Sequence, residues 1–279
     1  MIHVKTLSST PVLQIADTFN KAFKNYQIPI HFTESDLSRK FRVESIDLDY
    51  SIGAFNDGEL VGFMLQGVGT FKGEKTAWNG GTGVLPLYRG RQLTEKMYSF
   101  AIPLLQDMQV KKLVLEVLQP NIIAKTIYSR SGFEEKRLLH AYRGVLKKED
   151  KLLYEVVAME SFDVEQLSVL DDWSPCWQLS NTAIRQWSDS IQAFCIKEQD
   201  KLLGYLLYNK ASKRVSRFAV DKKHRNKGVA MALFQHVANT FDENISVVNI
   251  DATSENTNAF LQRLGLKNFL SQYEMERAI

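Results

Sequence analysis

One phrase is written twice in this chain: an apolar strand, a basic turn, an amphipathic helix, a second strand, and a helix that ends in glycine. Residues 82–101 read TGVLPLYRGRQLTEKMYSFA and residues 121–133 read NIIAKTIYSRSGF; residues 217–237 read RFAVDKKHRNKGVAMALFQHV and residues 256–266 read NTNAFLQRLGL. Self-similarity of this kind points to a duplicated domain. Length agrees, because 279 residues suggest two domains, each large enough to bury its own core. The charged run Lys147-Lys-Glu-Asp150 marks the expected boundary, giving domains over 1–148 and 149–279. Each copy departs from the shared phrase in a different place, so chemistry is expected to be divided unequally between them.

Composition narrows the class. Hydrophobic residues make up 44% and charged residues 24%, which is globular and argues against extensive disorder. The net charge of +3 is spread along the chain and balanced by acids, so no nucleic-acid partner is expected. Cys176 and Cys195 have neither metal nor disulfide spacing, which suits a reducing cytoplasm. No apolar run reaches membrane-spanning length and MIHVKTLSS lacks a signal-peptide core, so neither membrane nor secretion is expected. His3, His31, His140 and His236 lack ligand spacing; they read as structural, and no metal is expected. Nothing in the sequence fixes assembly beyond a monomer or a homodimer.

Periodicity gives the order of elements. A first strand spans His3–Leu7, and VLQIADTFNKAF is a helix with Leu13, Ala16, Phe19 and Phe23 on one face. Cap-type residues from Thr33 open a second helix. YSIGAF and LVGFMLQGV flank Asp57-Gly58, a strong hairpin turn. TAWNGGTGVLP is a strand, and a helix follows from about Gly90 to Leu105 with Leu93, Met97, Phe100, Ala101 and Leu104 inward. Pro103 should kink it or end it early. KKLVLEVL is a buried-type strand, NIIAKTIYSRSGF a helix stopped by Gly132, and KLLYEVVAM a further strand. The second half repeats the route, with a hairpin at Gln199-Asp200. The fold class is α/β (α+β): in each half, a mixed and largely antiparallel sheet flanked by helices.

The turn before the third helix carries the chemistry. Arg225-Asn226-Lys227-Gly228-Val229-Ala230 puts small residues where backbone passes close to a bound group, at the start of a helix whose free N–H groups attract anions. A pyrophosphate suits such a turn; a plain helix start with solvated lysines and arginines fits the same letters. The other half has Arg89-Gly90-Arg91-Gln92-Leu93-Thr94 at the same place. Here the sequence resembles the GNAT superfamily of acetyl-CoA-dependent N-acyltransferases, whose loop reads Gln or Arg, two residues, Gly, one residue, then Gly or Ala. RNKGVA fits in full, whereas RGRQLT has Gln92 for the glycine and Thr94 for the small residue. The family's next motif is matched by Asn121, Ala124, Tyr128, Gly132 and Phe133. Aligning Gly265 with Gly132 places Ser254, Thr257 and Leu261 where the first copy has Asn121, Ala124 and Tyr128.

The resemblance implies two tandem GNAT-like domains that transfer an acetyl group from acetyl-CoA to a primary amine on a small molecule or peptide. Val84, Leu85, Arg89–Thr94 and Asn121 would hold acetyl-CoA in the first copy, and Val220 with Arg225–Ala230 in the second. An amine of pKa ~10.4 must lose a proton before attack, and the departing thiolate must gain one. The resemblance assigns the second task to the Tyr128 phenol, with the N-terminal copy as the catalyst. Glu116 is the candidate base, since a buried-type strand seldom carries a carboxylate without reason; a solvated or lysine-paired Glu116 is the alternative, with Asn79 and Thr82 holding a water. His224 reads as a solvated loop residue, and Trp78 and Trp177 as core or as walls of an amine pocket. A non-catalytic CoA-binding sensor is the competing reading, because the two motifs are split between the halves.

Overall fold

The computed structural model describes residues 1–148 and 152–279; Glu149, Asp150 and Lys151, part of the charged run expected to divide the halves, lie outside the described residues. The chain forms two compact units, Met1–Lys136 with Glu274–Ile279 and Arg137–Tyr273. The division at 148/149 follows chain order; the units do not, because strands are exchanged between them.

Unit 1 contains β1 (Ile2–Thr6), α1 (Val12–Phe23), α2 (Glu34–Val43), β2 (Ile52–Asn56), β3 (Glu59–Phe71), β4 (Glu74–Val84), α3 (Leu93–Asp107), β5 (Lys112–Leu118) and α4 (Ile122–Arg130). β6 (Glu134–Val145) begins here and continues into unit 2. Unit 2 goes on through β7 (Val157–Met159), α5 (Val164–Ser168), α6 (Asn181–Gln186), β8 (Ile191–Glu198), β9 (Lys201–Asn209), β10 (Arg214–Val220), α7 (Val229–Thr240), β11 (Asn244–Asp251), α8 (Glu255–Arg263) and β12 (Lys267–Ala278), whose last residues return to unit 1. Strand order in unit 1 is β1-β2-β3-β4-β5 and then the end of β12; in unit 2 it is the start of β12, then β6-β11-β10-β9-β8-β7. The β4–β5 and β10–β11 pairs are parallel, and the hairpin neighbours are antiparallel, so each sheet is mixed and largely antiparallel.

Local chemistry explains the elements. Asp57 and Gly58 both have positive φ, 49° and 86°, which gives the two-residue turn whose twist matches paired strands. Thr33 and Asp36 close a reciprocal cap on α2. In α1 the buried face is Ile15, Ala16, Thr18, Phe19 and Ala22, whereas Leu13 is exposed, so the expected stripe is rotated toward the sheet by about one residue. Phe19 stacks on Phe63 at 5.2 Å within a cluster that includes Leu37, Phe55 and Leu65. Met64 lies between Phe63 and Leu65 and so faces the other side of the sheet, where α3 packs. α3 buries Leu93, Met97, Tyr98, Ala101 and Leu105; Phe100 is exposed, and the helix continues through Pro103 to Asp107 instead of stopping. Pro103 sits exposed, where its missing N–H leaves one carbonyl of the preceding turn to water. KLLYEVVAM yields only the three residues of β7, which belong to unit 2. In unit 2, α7 and α8 cover Phe194, Leu206, Val215 and Val247, while α5 and α6 cover Ala193, Tyr205, Leu207 and Ala219. Trp78 and Trp177 are core residues, 5% and 3% exposed, and the Trp78 indole donates to the Glu44 carbonyl at 2.7 Å.

Candidate functional site

The two basic turns have the same backbone. Arg89 and Arg225 are both extended, with φ/ψ of −67°/159° and −70°/157°. Two left-handed positions follow in each: Gly90 (φ 75°) and Gln92 (φ 57°) in unit 1, Asn226 (φ 59°) and Gly228 (φ 87°) in unit 2. Gln92 therefore takes the same left-handed conformation that glycine has in the other copy. Both residues are N-caps without a side-chain cap bond, so the first-turn amides of α3 and α7 are left for another partner. Leu93 and Thr94 bury their side chains, as does Val229, so those side chains do not cover the first-turn amides.

The leading arginines are pins. Arg89 Nε donates to the Val84 carbonyl at 3.1 Å and Nη2 to the Ala22 carbonyl at 2.9 Å, which ties the turn to α1. Arg225 repeats the first bond, to Val220 at 3.1 Å, and pairs with Asp172 at 2.7 Å. The exposed cations beside the helix starts are Arg91, which lies over the Tyr88 ring at 5.3 Å, and Lys227. A left-handed Gln92 costs about 1 kcal/mol relative to glycine. Gln92→Gly is thus expected to raise stability by about 0.5 kcal/mol after the flexibility of the unfolded chain is counted, and Gly228→Gln to lower it by about 1 kcal/mol or more, read by urea denaturation.

Beyond the turn, β4 and β5 separate. Their parallel pairing runs only from Thr76–Lys112 to Trp78–Val114. On the other side of β4 the register slips: Gln66 faces Asn79 but Leu65 faces Gly81, so Gly80 is a bulged, extra residue. A Cβ at Gly80 would stand 2.5 Å from Ile46 Cδ1, so a larger residue there would require the Ile46 side chain to shift. The bulge has a chemical result. Residues 79 and 82 would normally point to opposite faces, and the extra residue brings both to the α3 face.

There the side chains converge. Asn79 Nδ2 donates to Thr82 Oγ1 at 2.7 Å and to the Tyr98 hydroxyl at 2.9 Å, while Asn79 Oδ1 accepts the Gly81 N–H at 2.7 Å. Tyr128 from α4 meets Tyr98 edge to face at 6.3 Å, and Phe133 lies 6.0 Å from Tyr128 and 5.1 Å from Tyr98. Burial pushes the Tyr128 phenol up to about 12; a hydrogen bond from Thr82 pulls it down and neighbouring Tyr26 adds to the rise. Tyr98 is raised well above the usual phenol range, mainly by burial. Asn121 caps α4 by accepting the Ala124 N–H at 3.1 Å and hydrogen-bonds Tyr26, whose phenol burial also raises. Glu116 stands on β5, partly buried, two residues beyond the last paired position. Asn79 and Thr82, read from the sequence as able to hold a water, bond to each other, and Asn79 bonds to Tyr98. The sequence reading missed Tyr98; the signal for it was Asn79-Gly80-Gly81, since paired glycines in a strand mark a bulge.

Unit 2 keeps the frame and changes the contents. Its register slips at Ser216, the counterpart of Gly80, and β10 pairs with β11 only at Val215–Val247. Val215, Phe218, Phe234 and Leu261 occupy the positions of Asn79, Thr82, Tyr98 and Tyr128, and Phe218, Phe234 and Phe260 form an aromatic cluster with centroids 4.9–5.9 Å apart. Arg217 stands where unit 1 has Gly81; it pairs with Asp171 and donates to Asn181 Oδ1 at 2.6 Å. A cavity of about 520 Å³ opens beside Gly228, Val229, Ala230, Phe218 and Phe260. His224 lines it and bonds Asp221 at 3.1 Å. His140 bonds Ser271 at 2.9 Å and His236 packs on Phe194 at 4.7 Å. Among the described residues no group of three or more His, Cys, Asp or Glu is placed to hold a metal ion, and no helix is long and apolar enough to cross a membrane.

Two mixed sheets, each with a parallel pair that separates beside an uncapped helix start, describe a two-domain protein of acyltransferase type. The acetyltransferase (GNAT) family profile matches residues 14–133, and the acetyltransferase (GNAT) domain profile matches residues 171–277. One match falls in each half and together they span most of the chain; it belongs to the GNAT acetyltransferase family as a tandem member, a family of acyl-transfer enzymes. No curated protein matches the chain in sequence. Among solved structures it is similar in fold to an N-acetyltransferase from Sphaerobacter thermophilus, with a TM-score of 0.72 at 14% identity over 99% of this chain and 95% of that one. A tandem GNAT protein from the clavulanic acid biosynthesis pathway gives 0.65 at 13% identity over 100% and 98%.

Proposed function

We propose that this chain transfers an acetyl group from acetyl-CoA to a primary amine, in unit 1. The observation that carries the reading is the convergence of Asn79, Thr82, Tyr98 and Tyr128 where β4 and β5 separate, next to a helix start whose amides have no cap. The α3 amides and exposed Arg91 suit a diphosphate, and the separated strands suit a thioester laid between them. The amine nitrogen attacks the thioester carbon and the C–S bond breaks. The amine attacks as the neutral species, its ammonium proton having gone to water; Glu116 takes the second proton from the nitrogen as the C–S bond breaks, Tyr128 gives its hydroxyl proton to the thiolate, and the phenolate regains a proton from Glu116 through water.

For unit 2 we infer acetyl-CoA binding without turnover. The cavity beside Gly228 and Ala230 supports binding, and Leu261 at the tyrosine position offers no proton. Calorimetric titration of the full chain with acetyl-CoA, paired with a free-thiol assay on a panel of amines, tests both parts. Binding at two sites and thiol release with at least one amine are expected. Binding without release on any amine would leave a CoA-responsive sensor in place of an enzyme, and no binding would end both readings.

A further inference from the structure

The arrangement around Tyr128 assigns work to three residues beyond the acid itself. Asn79 is held by the Gly81 N–H at its oxygen, so its amide orientation is fixed, and both hydrogens of Nδ2 are engaged, one by Thr82 Oγ1 and one by the Tyr98 hydroxyl. Each of those hydroxyl oxygens therefore accepts from Asn79, and each hydroxyl hydrogen is turned away from it. Thr82 hydrogen-bonds the Tyr128 hydroxyl, and the Tyr98 ring meets the Tyr128 ring edge to face at 6.3 Å. The Tyr98 side chain is 1% exposed, so water has little access to its hydroxyl.

The second copy serves as an internal comparison. Where Tyr128 is replaced by Leu261, Asn79, Thr82 and Tyr98 are replaced by Val215, Phe218 and Phe234, although the bulge, the turn and the helix are kept. The polar groups come and go as a set, which packing demands alone do not require.

Building on the acyl-transfer reading above, we propose that Asn79, Thr82 and Tyr98 form a hydrogen-bond cradle that aims the Tyr128 phenol and takes up the negative charge left on its oxygen when its proton passes to the thiolate. In this step the Tyr128 O–H bond breaks, the S–H bond forms, and the electron pair stays on the phenol oxygen, to which the Thr82 hydroxyl donates while Asn79 and Tyr98 hold Thr82 in place. Tyr98 and Thr82 are then positioning residues that act through Tyr128.

The test removes hydroxyls without changing shape, in the full chain. Tyr98→Phe and Thr82→Val should each lower kcat by about 10- to 100-fold, the range for losing a hydrogen bond to a charged group, with KM for acetyl-CoA unchanged. Thr82→Ser should keep most of the activity. In a Tyr128→Phe background, Tyr98→Phe and Thr82→Val should cause no further loss, because their partner is gone. Wild-type kcat in Tyr98→Phe or Thr82→Val overturns the cradle, and so does an undiminished further loss in the Tyr128→Phe background. Calorimetric binding of acetyl-CoA by each variant shows that the fold is kept. If the unsubstituted protein releases no thiol with any amine, the acyl-transfer reading itself fails and the cradle falls with it; if it turns over and these substitutions leave kcat unchanged, the cradle alone is lost.

Discussion

Tyr128→Phe should lower kcat by about 10²- to 10⁴-fold while acetyl-CoA binds as tightly as before, measured by thiol release and by calorimetry. The phenol acts as an acid only while protonated. With its pKa pushed up to about 12 by burial, it keeps its proton at every pH at which the protein would be assayed. The rate should therefore rise with pH as the amine, at ~10.4, loses its own proton, and it should show no falling limb below about pH 11. A Tyr128→Phe protein that releases thiol at the unsubstituted rate would remove the phenol from the reaction.

Asp171→Ala should destabilise the protein by about 3–5 kcal/mol, read as a lower midpoint in urea, because it strands a buried guanidinium. The Arg217 side chain is 3% exposed, in ion pair with Asp171, and the Tyr205 hydroxyl donates to the same carboxylate. Burial raises the Asp171 carboxyl, against the opposing pull of Arg217 and Tyr205. Desolvation thus outweighs pairing, and this sets the second half of the expectation. Replacing both partners, Asp171→Leu with Arg217→Met, should bring stability back to within about 1–2 kcal/mol of the natural chain. A loss of less than 1 kcal/mol in Asp171→Ala would show that water reaches the guanidinium.

The parts of the fold legible in the sequence were those set by local chemistry. Asp57-Gly58 makes a tight turn, and Gly228 before an apolar helix marks the close-backbone turn of the second half. The α3 face was misread at Phe100 and Leu104 because hydropathy alone ranks them above Tyr98, although Tyr98 is inside and Phe100 is 39% exposed. A hydroxyl that finds a partner can be buried, and the partner, Asn79, lies on another element. The same limit hid the alignment of Asn79 with Thr82, since a bulge exists only relative to the neighbouring strand β3. It hid the Asp171–Arg217 pair too, because an arginine within RVSRFAV reads as a solvated edge until its carboxylate is found 46 positions away. Tyr128, Asn79 and Thr82 were each named from the sequence, and their convergence with Tyr98 was not legible there.

The exchange of strands sets a timetable for synthesis. Glu274–Ile279 lies at the edge of the unit 1 sheet, where the Ile279 N–H meets the Lys111 carbonyl at 3.0 Å and Glu276 approaches Lys112. Those residues leave the ribosome only after all of unit 2, so the unit 1 sheet waits, one strand short, while the later half is being made. During that interval the free edge of β5 is open to wrong partners, and the nascent chain is exposed to misassembly until residues 274–279 arrive.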